Sequence, residues 1–317
     1  MIHYVYARPH SYTLGIFLEH HCPALAAHVR LVDYDAFFGL ETLPGGAAIL
    51  TDFDRLSSAQ LTRAAAYHAL LSRADSPVCV LNDPARSLQR FELLRRLHEN
   101  GTNEFNVYRL DETHAGCRFP VFIRRERSHL PVLTGLLANA GELARAIRAI
   151  RCRNALRFFS RSKLDLADLM VVEFLNAPGP DRRYRKYGVY KVGDVLYAQH
   201  CFIRDDWHVK GPAVSLNDAD RREHREFIAV NPHAEQLTGI FDLARIDYGR
   251  VDYTVLNGKV QVFEINTNPT VLTGPPSAFS YDTRPYAERH EQALRTLLES
   301  GNPQRVIEIP AELRTRR

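Results

Sequence analysis

The stretch Arg250 to Pro269, RVDYTVLNGKVQVFEINTNP, restricts the possible folds of this chain more than any other. Asn257 and Gly258 tolerate the positive φ angles of a type I′ turn, so the run reads as a tight β-hairpin. Its arms, 250–256 and 259–265, are rich in the β-branched and aromatic residues that strands favour. Asp252 lies on the first arm and Glu264 and Asn266 on the second, where a spacing of two puts both on one face. Three oxygen donors converging across a hairpin suit a hard cation such as Mg²⁺, with nucleotide phosphates completing the octahedron. A solvated edge hairpin could carry the same polar residues. Val262, Phe263 and Ile265, however, make the second arm too apolar for water on both faces. A glutamate in such a strand needs a partner, because an unpaired buried charge is costly.

The 317 residues suffice for two or three compact units. Apolar residues make up 45% and charged residues 25%, values ordinary for a globular protein. The formal charge of +4 (41 basic minus 37 acidic) is too small to imply nucleic acid, yet it is compatible with anionic ligands. Cys22, Cys79, Cys117, Cys152 and Cys201 form no CxxC pair. They read as free thiols of a reducing compartment, not as a disulfide framework or zinc site. Residues 1–10 have no apolar signal-like core and no run approaches about 20 apolar residues, so a cytoplasmic protein is expected, with neither secretion nor membrane spanning.

Residues 1–84 alternate strand and helix signals, with strands at 3–7, 47–51 and 78–81 and a helix at 58–72 for which Ser57-Ser58 offers the N-cap. Such alternation predicts a small parallel sheet. Arg8, Pro9 and His10 follow the first strand where a dinucleotide site would place glycines. From 85 onward the pattern becomes α+β. It predicts helices at 87–100, 140–152 and 288–299, strands at 119–124 and 169–175, and a second hairpin near 187–202. The expected fold class is α/β plus α+β, with units at 1–84, 85–170 and 171–303 and a tail at 304–317 that is expected to be loose after Pro310.

The ordered set Arg250, Asp252, hairpin, Glu264-Ile265-Asn266 and Pro269 resembles the metal-binding hairpin of the ATP-grasp superfamily. That group includes D-alanine–D-alanine ligase, glutathione synthetase and the ribosomal-protein glutamate ligases. The resemblance implies a small leader domain and two lobes clasping ATP, with Asp252, Glu264 and Asn266 holding Mg²⁺ (or Mn²⁺). It gives Arg250 the transferred phosphoryl group or the tetrahedral intermediate. Arg90 and Arg124 stand where the family has lysines, and a guanidinium is bulkier and bidentate. On its own terms, Arg124 is a cation ending an apolar strand, which wants an anion; Arg90 reads equally as an exposed helix charge. The loop 125–135 occupies the place of a glycine-rich phosphate loop but has one glycine, leaving Ser128, His129 and backbone N–H groups to cover phosphates. Val172, Glu173, Phe174 and Leu175 resemble the hinge strand that reads adenine, with Glu173, or else Asp181, for the ribose. The basic cluster 181–187 reads by itself as a solvated charge run; the resemblance gives Lys186 or Arg185 a phosphate or substrate carboxylate. Lys210 is a further γ-phosphate candidate. Trp207 reads equally as a packing anchor.

The resemblance implies an ATP-dependent ligase that joins a small-molecule or peptide carboxylate to an amine or thiol through an acylphosphate. A kinase on the same scaffold and a nucleotide-binding regulatory protein are the competing readings. The arginine-rich helix from Arg145 to Arg161 is amphipathic and lacks a nucleic-acid motif, so no nucleic acid or membrane partner is expected; a homodimer is allowed. Nothing in the loop 270–280 identifies the substrate.

Overall fold

The chain was analysed as a computed structural model that describes residues 1–127, 131–156, 163–209 and 217–314. Its first unit runs β1 (Ile2–Tyr6), α1 (Tyr12–His20), α2 (Pro23–Ala26), β2 (Val29–Asp33), α3 (Tyr34–Phe37), β3 (Thr42–Pro44), β4 (Gly46–Leu50), α4 (Ser58–Leu71) and β5 (Val78–Leu81). β2, β1, β4 and β5 form a parallel sheet in that order, as the alternating pattern predicts. Ser57 caps α4 in a reciprocal capping box with Gln60.

The second unit comprises α5 (Arg90–Glu99), β6 (Val107–Arg109), β7 (Val121–Arg125), α6 (Ala140–Leu156) and β8 (Leu169–Glu173). Its antiparallel sheet has the order β6-β8-β7. Leu143 and Ile147 of α6 pack on one face with Val121, Ile123 and Val171. Met170 and Val172 face the other way, toward Leu94 and Phe105.

The third unit is built from β9 (Tyr184–Val192), β10 (Val195–Arg204), α7 (Asp218–Val230), α8 (Ala234–Ala244), β11 (Tyr248–Leu256), β12 (Lys259–Asn266) and α9 (Arg284–Glu299). Its antiparallel sheet has the order β10-β9-β11-β12. Val189, Val251, Tyr253 and Val262 fill the face covered by α7 and α8.

Two boundaries differ from the sequence expectation. A division at 170/171 cuts through β8, and α5 lies along β12 with Leu93 and Leu97 in the third unit's core. Before Pro310 a short strand β13 (Val306–Glu308) pairs with β3, and Ile309 is buried among first-unit residues. Charged and polar residues hid this pairing, because a three-residue strand has no readable period.

First and third units share one core, in which Tyr4 and Phe17 meet Tyr190, Tyr197, Tyr248 and Leu294. Asn82, in the left-handed region (φ 67°), fixes this junction. Its Nδ2 donates to the carbonyls of Leu50 and Tyr248 at 3.0 and 2.9 Å. Its Oδ1 accepts the N–H groups of Asp247 and Tyr248 at 2.8 and 2.9 Å. Among the described residues no helix is long and apolar enough to cross a membrane.

Candidate active site

The hairpin at Asn257 and Gly258 turns with positive φ at both (52° and 77°), as a type I′ turn requires. Its register sets Arg250 opposite Asn266 and Asp252 opposite Glu264, with a bulge just beyond Asp252. β9 and β10 extend the row through Asp252 to Gly188 and then His200. Because the opposite face is apolar core, these polar side chains face the space between the third and second sheets.

That space is a cavity of about 350 Å³. Its apolar lining is Leu94, Phe105, Met170, Val172, Phe174, Leu175 and Phe263, most of them members of one apolar cluster. Arg124, Lys186, Arg250, Asp252, Glu264 and Asn266 supply its charged and polar lining. The Trp207 ring stands against Phe122 and Phe174, with centroids 5.5 and 5.2 Å away. Arg90 and Asn266, 176 positions apart in sequence, are thus brought near one another by α5 and β12.

Asp252 is 2% exposed. Arg250 grips it through Nε and Nη2 at 2.6 and 3.2 Å, and Lys186 Nζ lies 3.1 Å from Oδ2. Burial pushes the carboxyl up, but Arg250 and Lys186 outweigh it and hold the group well below the usual carboxylate range. Asp252 is therefore ionised. Glu264 is paired with Arg90, whose Nη1 also donates to the Glu126 carbonyl at 2.6 Å. Burial and the neighbouring Arg90 bring Arg124 down to about 9, which leaves it cationic at neutral pH. Two adjacent buried guanidiniums repel, and an anion between them would relieve that cost. Asn266 Oδ1 accepts the Asn268 N–H at 2.8 Å.

Strand alternation, ambiguous in the sequence, separates the two basic candidates on β9. Lys186 points to Asp252. Arg185 points away, donating to Glu223 at 2.5 Å and to Asp181 at 2.8 Å, although its side chain still borders the cavity. Val172, Glu173, Phe174 and Leu175 all border the cavity. Glu173, 4% exposed, has its oxygens engaged within its own lobe. Oε1 accepts from the Tyr108 hydroxyl and the Arg118 N–H at 3.0 and 2.8 Å; Oε2 accepts the Asn106 N–H at 3.0 Å. The fallback Asp181 is likewise taken, by Arg183 and Arg185. Lys210, Ser128 and His129 lie outside the described residues.

Sequence reasoning missed Glu126 and Gln199. Glu126 accepts the Phe91 N–H at 3.0 Å and is gripped by Arg109 at 2.6 Å, fixing the helix that presents Arg90. Gln199 reaches Arg250 because of a bulge in β10 between Ala198 and His200, and neither residue carried a motif. Among the described residues no group of three or more His, Cys, Asp or Glu forms a metal cage. The oxygen donors here are two carboxylates and an amide.

No family model matches the chain, and no curated protein matches it either. Solved structures do. D-alanyl-alanine synthetase A from Vibrio cholerae aligns with a TM-score of 0.51 at 14% identity, over 96% of this chain and 98% of that one. D-alanine–D-alanine ligase from Bacillus anthracis, solved with ATP, gives 0.49 at 13% identity, over 95% and 99%. A RimK domain protein of ATP-grasp type from Sphaerobacter thermophilus gives 0.48 at 13%, over 93% and 100%. The fold is the ATP-grasp fold, spanning nearly the whole chain.

Proposed function

We propose that the protein is an ATP-dependent ligase that joins a carboxylate to an amine. The observation that carries this reading is the mixed lining of the cavity: an aromatic and aliphatic surface suited to a purine, together with Arg124, Lys186 and Arg250 beside Asp252 and Glu264, the last paired with Arg90. Phosphoryl transfer asks a protein mainly for positioning and charge stabilisation. The donor set Asp252, Glu264 and Asn266 is all oxygen, spans one hairpin and includes a carboxylate held ionised, which fits a hard cation. These three would hold Mg²⁺ or Mn²⁺, which when bound neutralises phosphate charge.

In the reaction, an oxygen of the substrate carboxylate attacks the γ-phosphorus of ATP while the bond from that phosphorus to the bridging oxygen breaks, releasing ADP. The amine then attacks the acyl carbon of the acylphosphate, the carbon–oxygen bond breaks, and phosphate departs as the amine loses a proton. Lys186 and Arg250 are engaged by Asp252 and Arg90 by Glu264; on substrate entry Lys186 and Arg90 pass from carboxylate to phosphate oxygens, while Arg250 keeps Asp252 on one edge. Arg250 then steadies the transferred phosphoryl group. Arg124 adds positive charge from the facing sheet. Val172 to Leu175 offer their backbone to the purine, while the Glu173 and Arg185 side chains serve as scaffold.

Trp207 is the only tryptophan, so its emission should change on titration with Mg·ATP. ADP release is then screened against pooled amino acids and peptides, with hydroxylamine present to trap an acylphosphate. Trapped hydroxamate supports the ligase; ADP release onto a hydroxyl acceptor without hydroxamate supports a kinase. D252N and E264Q should each lower turnover by roughly a hundredfold or more. Full activity in either variant removes the metal assignment.

A further inference from the structure

The bulge in β10 has a chemical result. In a regular strand Gln199 and His200 would face opposite sides; the register shift between Ala198 and His200 gathers both beside Arg250. Gln199 is buried, and each end of its amide is used. Its Oε1 accepts Arg250 Nη1 at 2.9 Å and lies 3.1 Å from His200 Nδ1. Its Nε2 donates to the carbonyls of Val271 and Thr270 at 2.6 and 3.3 Å. Arg250 has five N–H groups. Asp252 takes the edge formed by Nε and Nη2, and Gln199 with the Thr270 carbonyl takes Nη1. The second Nη2 proton is left to face the cavity that Arg250 lines.

We infer that Gln199 is a positioning residue for Arg250, setting the plane of the guanidinium so that its remaining Nη2 proton meets the transferred phosphoryl group. The inference rests on the ligase reading but makes a separate claim. Asp252 alone fixes one edge of the guanidinium; a second anchor on Nη1 is needed to hold its tilt. An amide is the right group for this. A carboxylate would accept from Arg250 equally well but would confront the Thr270 and Val271 carbonyls without a donor, and it would cancel the charge that Arg250 carries to the phosphate. The same amide holds the segment that follows Pro269. Asn268, just before it, accepts from the Tyr4 hydroxyl at 2.6 Å and donates to Asp52 at 2.5 Å. Arg250 is thereby referenced to the first unit as well as to its own strand.

The test is a double-mutant cycle of Q199A and R250A, with Q199E, which places a negative charge beside Arg250 and removes the donor to Thr270 and Val271, expected to weaken binding at least as much as Q199A. The ligand is Mg²⁺ with the non-hydrolysable β,γ-imido analogue of ATP, measured calorimetrically. Each single variant should weaken binding by roughly tenfold, the worth of a hydrogen bond to a charged group. The double variant should match R250A, because Gln199 acts only through Arg250. Independent, additive losses overturn the inference. A second readout needs no ligand: the Arg250 Nε–H resonance, identified by its absence in R250A, should be sharp and slowly exchanging in the wild type and broadened in Q199A. An unchanged resonance in a folded Q199A variant also overturns it. Failure of the wild type to bind the analogue would sink the ligase reading instead, and the resonance would still decide the role of Gln199.

Discussion

His290 shows how one residue records its surroundings. It is 0% exposed, its Nδ1 is 2.8 Å from the Tyr197 hydroxyl, and its Nε2 has no hydrogen-bond partner among the described residues. Burial brings it down to about 3. The unfolded chain binds a proton there near pH 6.5 and the folded chain does not, so between these values the unfolded state holds more protons. Stability from this site is complete above about pH 6.5 and is lost as pH falls toward 3. Thermal denaturation of the wild type should lose up to about 1.4 kcal/mol per pH unit from this group across that window. H290Q should show a shallower slope, and an identical slope would place the titration elsewhere. At this scale the sequence was informative about identity and silent about orientation. Asp252, Glu264 and Asn266 could be picked out because a hairpin has a period of two. Glu173 could not be assigned, since its three acceptor contacts come from Asn106, Tyr108 and Arg118, far from it in sequence.

Among the elements, β9 depends on a missing side chain. A Cβ at Gly188 would lie 2.3 Å from the His200 ring, which instead stacks on Phe202 at 3.9 Å. G188A should therefore push the imidazole off Phe202 and destabilise the sheet by about 1–3 kcal/mol. H200A should recover much of that loss in the double variant, as read from chemical denaturation midpoints. Absence of recovery would mean that the backbone, not the ring, resists the substitution. Long periodic elements such as α4, the hairpin arms and α9 were legible because amphipathic spacing and turn residues write themselves locally. The helices α7 and α8 were not read: Asp218 to Val230 is dominated by charge, and its few apolar residues, Phe227 and Ile228, show their face only against Tyr187 and the sheet beneath.

In the whole molecule, charge is concentrated where the units meet and hydrophobic packing is continuous between the first and third. Asn82 serves that junction with four hydrogen bonds, three of them buried, from a left-handed backbone position. N82D keeps the shape but replaces two donors with acceptors facing the Leu50 and Tyr248 carbonyls. It should cost about 2–4 kcal/mol and split the single denaturation transition into two. A single, unshifted transition would show that the shared aromatic core suffices by itself. The order of units was readable from the change of pattern near residue 85. The attachment of α5 to β12, and of β13 to β3, depended on contacts that no local period announces.

The shared core has a mechanical corollary. The first and third units are fused by Asn82, Asn268 and the tyrosine cluster, with α5 along β12, whereas one face of the sheet of residues 107–173 packs with α6 in a core of its own. Asp252, Glu264 and Arg250 therefore stand on the fused block, and Arg124 and Phe174 belong to the lobe that faces it across the cavity.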